Sequence, residues 1–144
     1  MKTCLAIALI VVGTTAHAHS SGVKDPDVMN RMMGMMELAK SMKSIGMMAK
    51  GEAAFDAAAV NAALAKMSEE ASHIPSLFET EADDPKSEAL PAIWNNFDDF
   101  TAKAHSLKEI TASLSGTVDD PADLGPVMRE VGKTCSACHG SYRE

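Results

Sequence analysis

The string Cys135-Ser136-Ala137-Cys138-His139 lies close to the end of this 144-residue chain and constrains its fold more than any other feature. C-x-x-C-H is the pattern of covalent c-type haem attachment. Chemistry explains the spacing. Two thiols about one helical turn apart reach the two vinyl groups on one edge of a porphyrin, and the histidine directly after the second is held under the iron as proximal ligand. A redox dithiol requires no adjacent histidine. A tetrahedral structural zinc needs four ligands, and no second cysteine pair is there to complete one. The position matters as much as the motif, because it hangs the haem from the last helix of the chain.

At the other end, Lys2 precedes the apolar run Leu5 to Val12 and small residues ending in Ala16-His17-Ala18. This reads as a secretory signal over residues 1–18 with an A-x-A cleavage site, leaving one domain over residues 19–144. The apolar run is well short of the roughly 20 residues that span a bilayer, so no stable membrane insertion is expected and a retained anchor is disfavoured. Cys4 stands too early to be a lipoprotein cysteine and leaves with the signal. Of the 3 cysteines, the remaining two both belong to the motif, which rules out a structural disulfide once haem is attached. Such export fits a bacterial periplasm. The chain carries 13 basic and 20 acidic residues, net −7, and losing Lys2 makes it one unit more negative. That balance argues against nucleic acid or an anionic membrane as partner and allows a basic redox partner.

Four helical stretches follow, with no alternating β-type run to compete. Asp25-Pro26 is a cap with proline at the first helical position, opening a helix that runs to about Ala49 and stops at Lys50-Gly51. Asp56 caps a second, with Ala57, Val60, Leu64 and Met67 at helical spacing. It is expected to end near Ile74-Pro75, since proline disfavours helix in the residue before it. A charged connector, Glu79 to Lys86, leads to a third helix starting around Ser87 or Pro91 and continuing through Ile93, Trp94, Phe97, Phe100, Ala104, Leu107 and Ile110. Pro121 to Tyr142 makes the fourth, where Gly125-Pro126 implies an irregular first turn or a later start. Short connections make successive helices antiparallel neighbours. The predicted fold is all-α, an antiparallel up-down-up-down four-helix bundle enclosing one covalently bound haem. Aromatic residues make up only 4% of the chain, so the haem supplies much of the core's apolar bulk and the apoprotein is expected to fold poorly.

Eight methionines lie between Met29 and Met48. Most suit core filling around an irregular cavity, and a Cu(I)-binding cluster is disfavoured because they lie all around the helix. A thioether is nonetheless the usual partner of histidine in electron-transfer haem, so one of them is a candidate iron ligand.

Signal, four helices and a late C-x-x-C-H together resemble the class II c-type cytochromes, the cytochrome c-prime family. The similarity spans the mature chain. It includes Arg31, the Lys50-Gly51-Glu52-Ala53 turn with Phe55-Asp56, Pro91-Ala92-Ile93-Trp94, and Val131-Gly132-Lys133-Thr134-Cys135 through His139 with Tyr142-Arg143. The resemblance implies that the residue four positions after the first-helix arginine faces the distal side of the iron. Counting back from the Lys50-Gly51-Glu52-Ala53 turn gives the same position, Met35. Gas-binding members carry a non-ligating group there; the low-spin c-556 type carries methionine. The chain is most similar to the latter, with His139 and Met35 as axial ligands and Met32 and Met36 as competitors on nearly the same face. Arg31 is implied as a haem-propionate partner, against an exposed helix-start arginine. Arg143, four residues after His139, is implied to lie near the proximal ligand, against a role in capping the terminal helix. Trp94 and Phe97 read as core, and His73 and His105 as surface or boundary residues.

The function these residues imply is electron transfer by a mono-haem carrier, not catalysis, with haem c bonded at Cys135 and Cys138 and a transient redox protein as partner. The alternative is a five-coordinate member that binds nitric oxide or carbon monoxide. The resemblance also raises a homodimer through the first two helices.

Overall fold

The computed structural model describes residues 22–144, and the signal assigned to residues 1–18 lies outside them. The elements are α1 (Pro26–Ala49), α2 (Ala57–Leu77), a short α3 (Ala92–Asn95), α4 (Phe97–Leu114) and α5 (Leu124–Tyr142), the last preceded by a 3-10 turn at Pro121–Asp123. The four long helices close a ring in which α1 packs on α2 and α5, and α4 packs on the same two. Each connection reverses the chain, which gives the antiparallel up-down-up-down four-helix bundle. Among the described residues there is no strand beyond one isolated bridge between Ala89 and Arg143, and no helix is long and apolar enough to cross a membrane.

Local chemistry sets most of the boundaries. The Asp25 carboxylate accepts the Asp27 and Val28 N–H groups at 2.9 and 3.0 Å, satisfying donors that a helix start leaves free. At the other end of α1 the Glu52 and Gly51 N–H groups donate to Met47 and Met48 carbonyls at 2.9 and 3.0 Å. This pairing requires a left-handed residue, and Gly51 supplies it at φ 73°. Asp56 caps α2 through the Ala59 N–H at 3.0 Å.

Two boundaries depart from the sequence expectation. α2 does not end at Ile74-Pro75 but continues through Pro75 to Leu77. Burial of Ile74 and Phe78 in the core outweighs the local penalty, and Ser76 Oγ donates to the His73 carbonyl at 2.8 Å. The third helix is not continuous either: it breaks at Asn96, whose φ of −137° and ψ of 48° separate α3 from α4. The apolar spacing runs across this break and conceals it. In the last helix, Asp120 and Asp123 form a capping box around the 3-10 turn, so the irregular start implied by Gly125-Pro126 is present.

At the end of the bundle where α1 finishes and α5 begins, the core is closed. Ile45, Val60, Leu64, Val118 and Val131 have no exposed surface. Asn61 seals it, its amide donating to the Ala57 and Val118 carbonyls and accepting the Gly116 and Val118 N–H groups, all within 3.2 Å. The opposite end is built differently.

Candidate haem site

Where α1 begins and α2 and α5 finish, the bundle holds a cavity of about 440 Å³. Its walls are mainly apolar: Val28, Met32, Met35 and Met36 from α1, Met67 and Ile74 from α2, Phe100, Ala104 and Leu107 from α4, and Cys135, Cys138, His139 and Tyr142 from α5. The few aromatic residues concentrate here. Phe78 and Phe97 lie 4.9 and 5.9 Å from the Phe100 ring, and Tyr142 meets it edge-on at 5.4 Å. Of the 4 Phe, 1 Trp and 1 Tyr in the chain, only Phe55 belongs to another region.

α5 brings the whole attachment motif to this wall. Cys135 and Cys138 are free, half-buried thiols, and burial pushes both above the ordinary cysteine range. The His139 imidazole is held below its usual value, first by desolvation and then by the nearby Arg143 charge. It is therefore neutral at pH 7, with a nitrogen lone pair available to a metal. Tyr142, one turn on, donates to Asp99 Oδ2 at 2.6 Å. That bond drives the phenol up to about 12 and lowers the carboxyl of Asp99.

α1 supplies four of the cavity's five thioethers, Met32, Met35, Met36 and Met42, and α2 adds Met67. Met32, Met35 and Met36 all border the cavity, but not alike. Met35 is partly buried and packed against the core cluster, whereas Met36 is 61% exposed. Met33 is exposed and lies off the wall.

The two arginines differ more sharply. Arg31 borders the cavity but is not an exposed helix-start residue: it is 3% exposed, and three of its nitrogens donate to carbonyls of Leu77, Thr80 and Ala82. Burial holds its pKa below the usual arginine value, opposed by the charges of Asp27 and Asp25. Arg143 lies at the rim four residues past His139 and pairs with Glu88 through Nε at 2.6 Å. Trp94 and Phe97 pack against the core, as read from the sequence, and His73 and His105 are exposed.

Sequence reasoning missed Lys86, Glu88 and Lys103, which also border the cavity. Lys103 pairs with Asp99 at 3.3 Å. Lys86 has no acidic partner among the described residues. Both lie in stretches of ordinary surface charge, and only the fold brings them to the edge of the cavity.

An apolar cavity bordered by two free thiols, a neutral imidazole and five thioethers, with cations at its rim, offers the donor set that a c-type haem requires. The comparisons agree. The sequence model of the Cytochrome C' family matches residues 27–143. A cytochrome c-556 from Agrobacterium fabrum is 41% identical over 112 residues, 76% of each chain. A cytochrome c-554 from Cereibacter sphaeroides is 35% identical over 97% of this chain and 95% of its own. Among solved structures, cytochrome c' from Rhodopseudomonas palustris superposes with a TM-score of 0.78 at 28% identity, covering 84% of this chain and 98% of the other. The oxidised cytochrome c556 of R. palustris gives 0.77 at the same identity and coverage. Motif, cavity and relatives together make covalent haem c the cofactor, and the chain belongs to the cytochrome c-prime family of class II c-type cytochromes.

Proposed function

We propose that this protein is a periplasmic mono-haem electron carrier in which His139 and Met35 hold the two axial positions of the iron. The observation that carries the reading is the placement of Met35. Of the three candidates Met32, Met35 and Met36, it alone packs against the core cluster, so among them its thioether is the one that packing holds; Met42, which also packs there, lies two turns further along α1 toward the closed end. Cys135 and Cys138 attach the ring to α5, and the neutral imidazole of His139 offers its lone pair from the same helix. When bound, haem supplies a one-electron couple between ferric and ferrous iron, and a methionine ligand raises its potential. The protein excludes water through the walls of Phe78, Phe100, Leu107 and Ile74. With both axial positions filled no site is open to substrate, which favours electron transfer over catalysis.

Arg31 is a weaker propionate partner than the resemblance implies, because three of its donors are engaged with backbone. Lys86 is the exposed cavity-lining cation that pairs with no carboxylate among the described residues, and Arg143 stands beside the proximal ligand. The exposed methionines of α1, Met33 at 54%, Met36 at 61% and Met47 at 36%, offer an apolar face to a second copy or to a transient redox partner.

The absorption spectrum of the purified holoprotein tests the reading. A low-spin spectrum with a ferric sulfur-to-iron charge-transfer band is expected, together with a mass that begins at His19 and retains haem after acid-acetone extraction. A high-spin spectrum points instead to the five-coordinate alternative, which binds nitric oxide or carbon monoxide. Met35→Ala converts the haem to high spin; an unchanged spectrum in that variant assigns the ligand to Met32 or Met36.

A further inference from the structure

Arg31 carries a buried charge that the haem ligands do not explain. Among the described residues no carboxylate bonds to it, and burying a guanidinium is costly unless hydrogen bonds replace its water. Here backbone replaces it. Nε donates to the Leu77 carbonyl at 2.9 Å, Nη1 to Ala82 at 3.1 Å and Nη2 to Thr80. Leu77 ends α2, so its carbonyl lacks an intrahelical partner, and the negative end of the helix dipole favours a cation there. The guanidinium also lies 4.8 Å from the Phe78 ring centre and 5.2 Å from that of Trp94. Trp94 in turn donates to the Phe78 carbonyl at 2.8 Å. One side chain of α1 thus fastens the end of α2, the connector after it and α3.

The same connector is fastened a second time. Asp84, 5% exposed, accepts the N–H groups of Lys24 and Asp25 at 2.8 and 3.2 Å and that of Lys86 at 2.9 Å. The start of α1 is therefore held against residues 77–86 from two points, which fixes both its height along the bundle and its rotation. Met35 stands one turn beyond Arg31 on the same face. A rotation of α1 that freed the arginine from its carbonyls would swing the thioether away from the cavity.

We propose that Arg31 is a positioning residue for the sixth ligand: by locking α1 to the backbone of residues 77–82, it sets where Met35 meets the iron. The proposal rests on the assignment of Met35 as that ligand. Lysine cannot substitute fully, because a compact ammonium does not present the planar fork that reaches three diverging carbonyls.

The test uses the holoprotein, with exogenous imidazole as a probe that competes with the thioether for ferric iron. In Arg31→Met the sulfur-to-iron band weakens, imidazole binds about tenfold more tightly because the competing thioether is less well placed, and amides of residues 78–86 exchange faster. Arg31→Lys falls between this variant and the parent. Leu64→Ala, which loosens the closed core away from the cavity, lowers the melting temperature but leaves the band and the imidazole affinity unchanged. Should Arg31→Met fail to accumulate, Trp94→Phe removes the bond to Phe78 without stranding a charge and raises imidazole affinity about two- to threefold. Retention of the full band and parental affinity in the arginine variants overturns the proposal, as does an equal gain of affinity in Leu64→Ala. A parent that lacks the band overturns the Met35 assignment itself, so the two failures are distinct.

Discussion

The two ends of this bundle solve the same problem, burying the inner faces of four helices, by different means. At the closed end small and branched side chains fill the space and Asn61 satisfies the loop that crosses it. That end needs only amino acids. At the cavity end the helices stand around about 440 Å³ of largely apolar space, and backbone is held by polar anchors: Arg31 on three carbonyls, Asp84 on three N–H groups, Tyr142 on Asp99. A wall that packs against a cofactor has fewer side-chain partners on its inner side, so polar anchors hold its backbone. The contrast teaches that apolar filling and polar fastening are separable, and that a cofactor site is where a chain relies on the second.

Removing the cofactor strains this contrast most. In the double variant Cys135→Ser/Cys138→Ser no haem survives acid-acetone extraction. Hydrogen exchange should then be faster at the cavity end by about 100-fold or more relative to amides around Asn61, because local opening tracks local packing. Equal loss of protection at both ends would break the comparison. Phe100→Ala, which empties the centre of the aromatic cluster, is expected to cost about 3–5 kcal/mol in the holoprotein and much less in the apoprotein, where its haem-side neighbours are gone. Leu64→Ala at the closed end costs about 2–5 kcal/mol in both forms; denaturant unfolding of the four species measures the difference.

Smaller effects sharpen it. Asn61→Ala leaves loop N–H groups and carbonyls without partners and is expected to cost about 1–3 kcal/mol, with the haem spectrum unmoved. Asp84 provides the pH dependence. Backbone N–H groups of Lys24 and Lys86 hold its carboxyl below the ordinary aspartate range. A depressed carboxylate stabilises the fold above its unfolded value of about 3.9 and loses that contribution as pH falls through the lower folded value. Acid titration of thermal stability should therefore be less steep below about pH 4 in Asp84→Asn than in the parent, and above pH 5 the variant should melt lower. Identical acid limbs would dismiss Asp84 as a second fastening of the connector.

Legibility in the sequence followed the same division. Asp25, Asp56 and Gly51 act on groups within five residues of themselves, so helix ends at these points could be read directly. The C-x-x-C-H string is equally local, and it carried the cofactor. Arg31 stands out in the sequence, but its burial against backbone does not, because its carbonyl partners lie 46, 49 and 51 residues away and a backbone acceptor leaves no trace in residue identity. The break at Asn96 was hidden for a related reason: apolar spacing through Ile93, Phe97 and Phe100 continues across it. Pro75 obeyed its local rule only until the burial of Ile74 and Phe78 overruled it. Lys86 and Lys103 were invisible as site residues since a lysine at a cavity rim and one on open surface have the same sequence.

The Arg31 anchorage has a consequence for how this molecule can change. A carbonyl accepts a hydrogen bond whatever side chain its residue bears. Glu79, Thr80, Glu81 and Asp83 are all exposed, so their side chains can be exchanged with the anchor left intact. The stretch beside the haem cavity is therefore free to drift in charge and shape, and the outer surface there can be remodelled without loosening the bonds that hold α1.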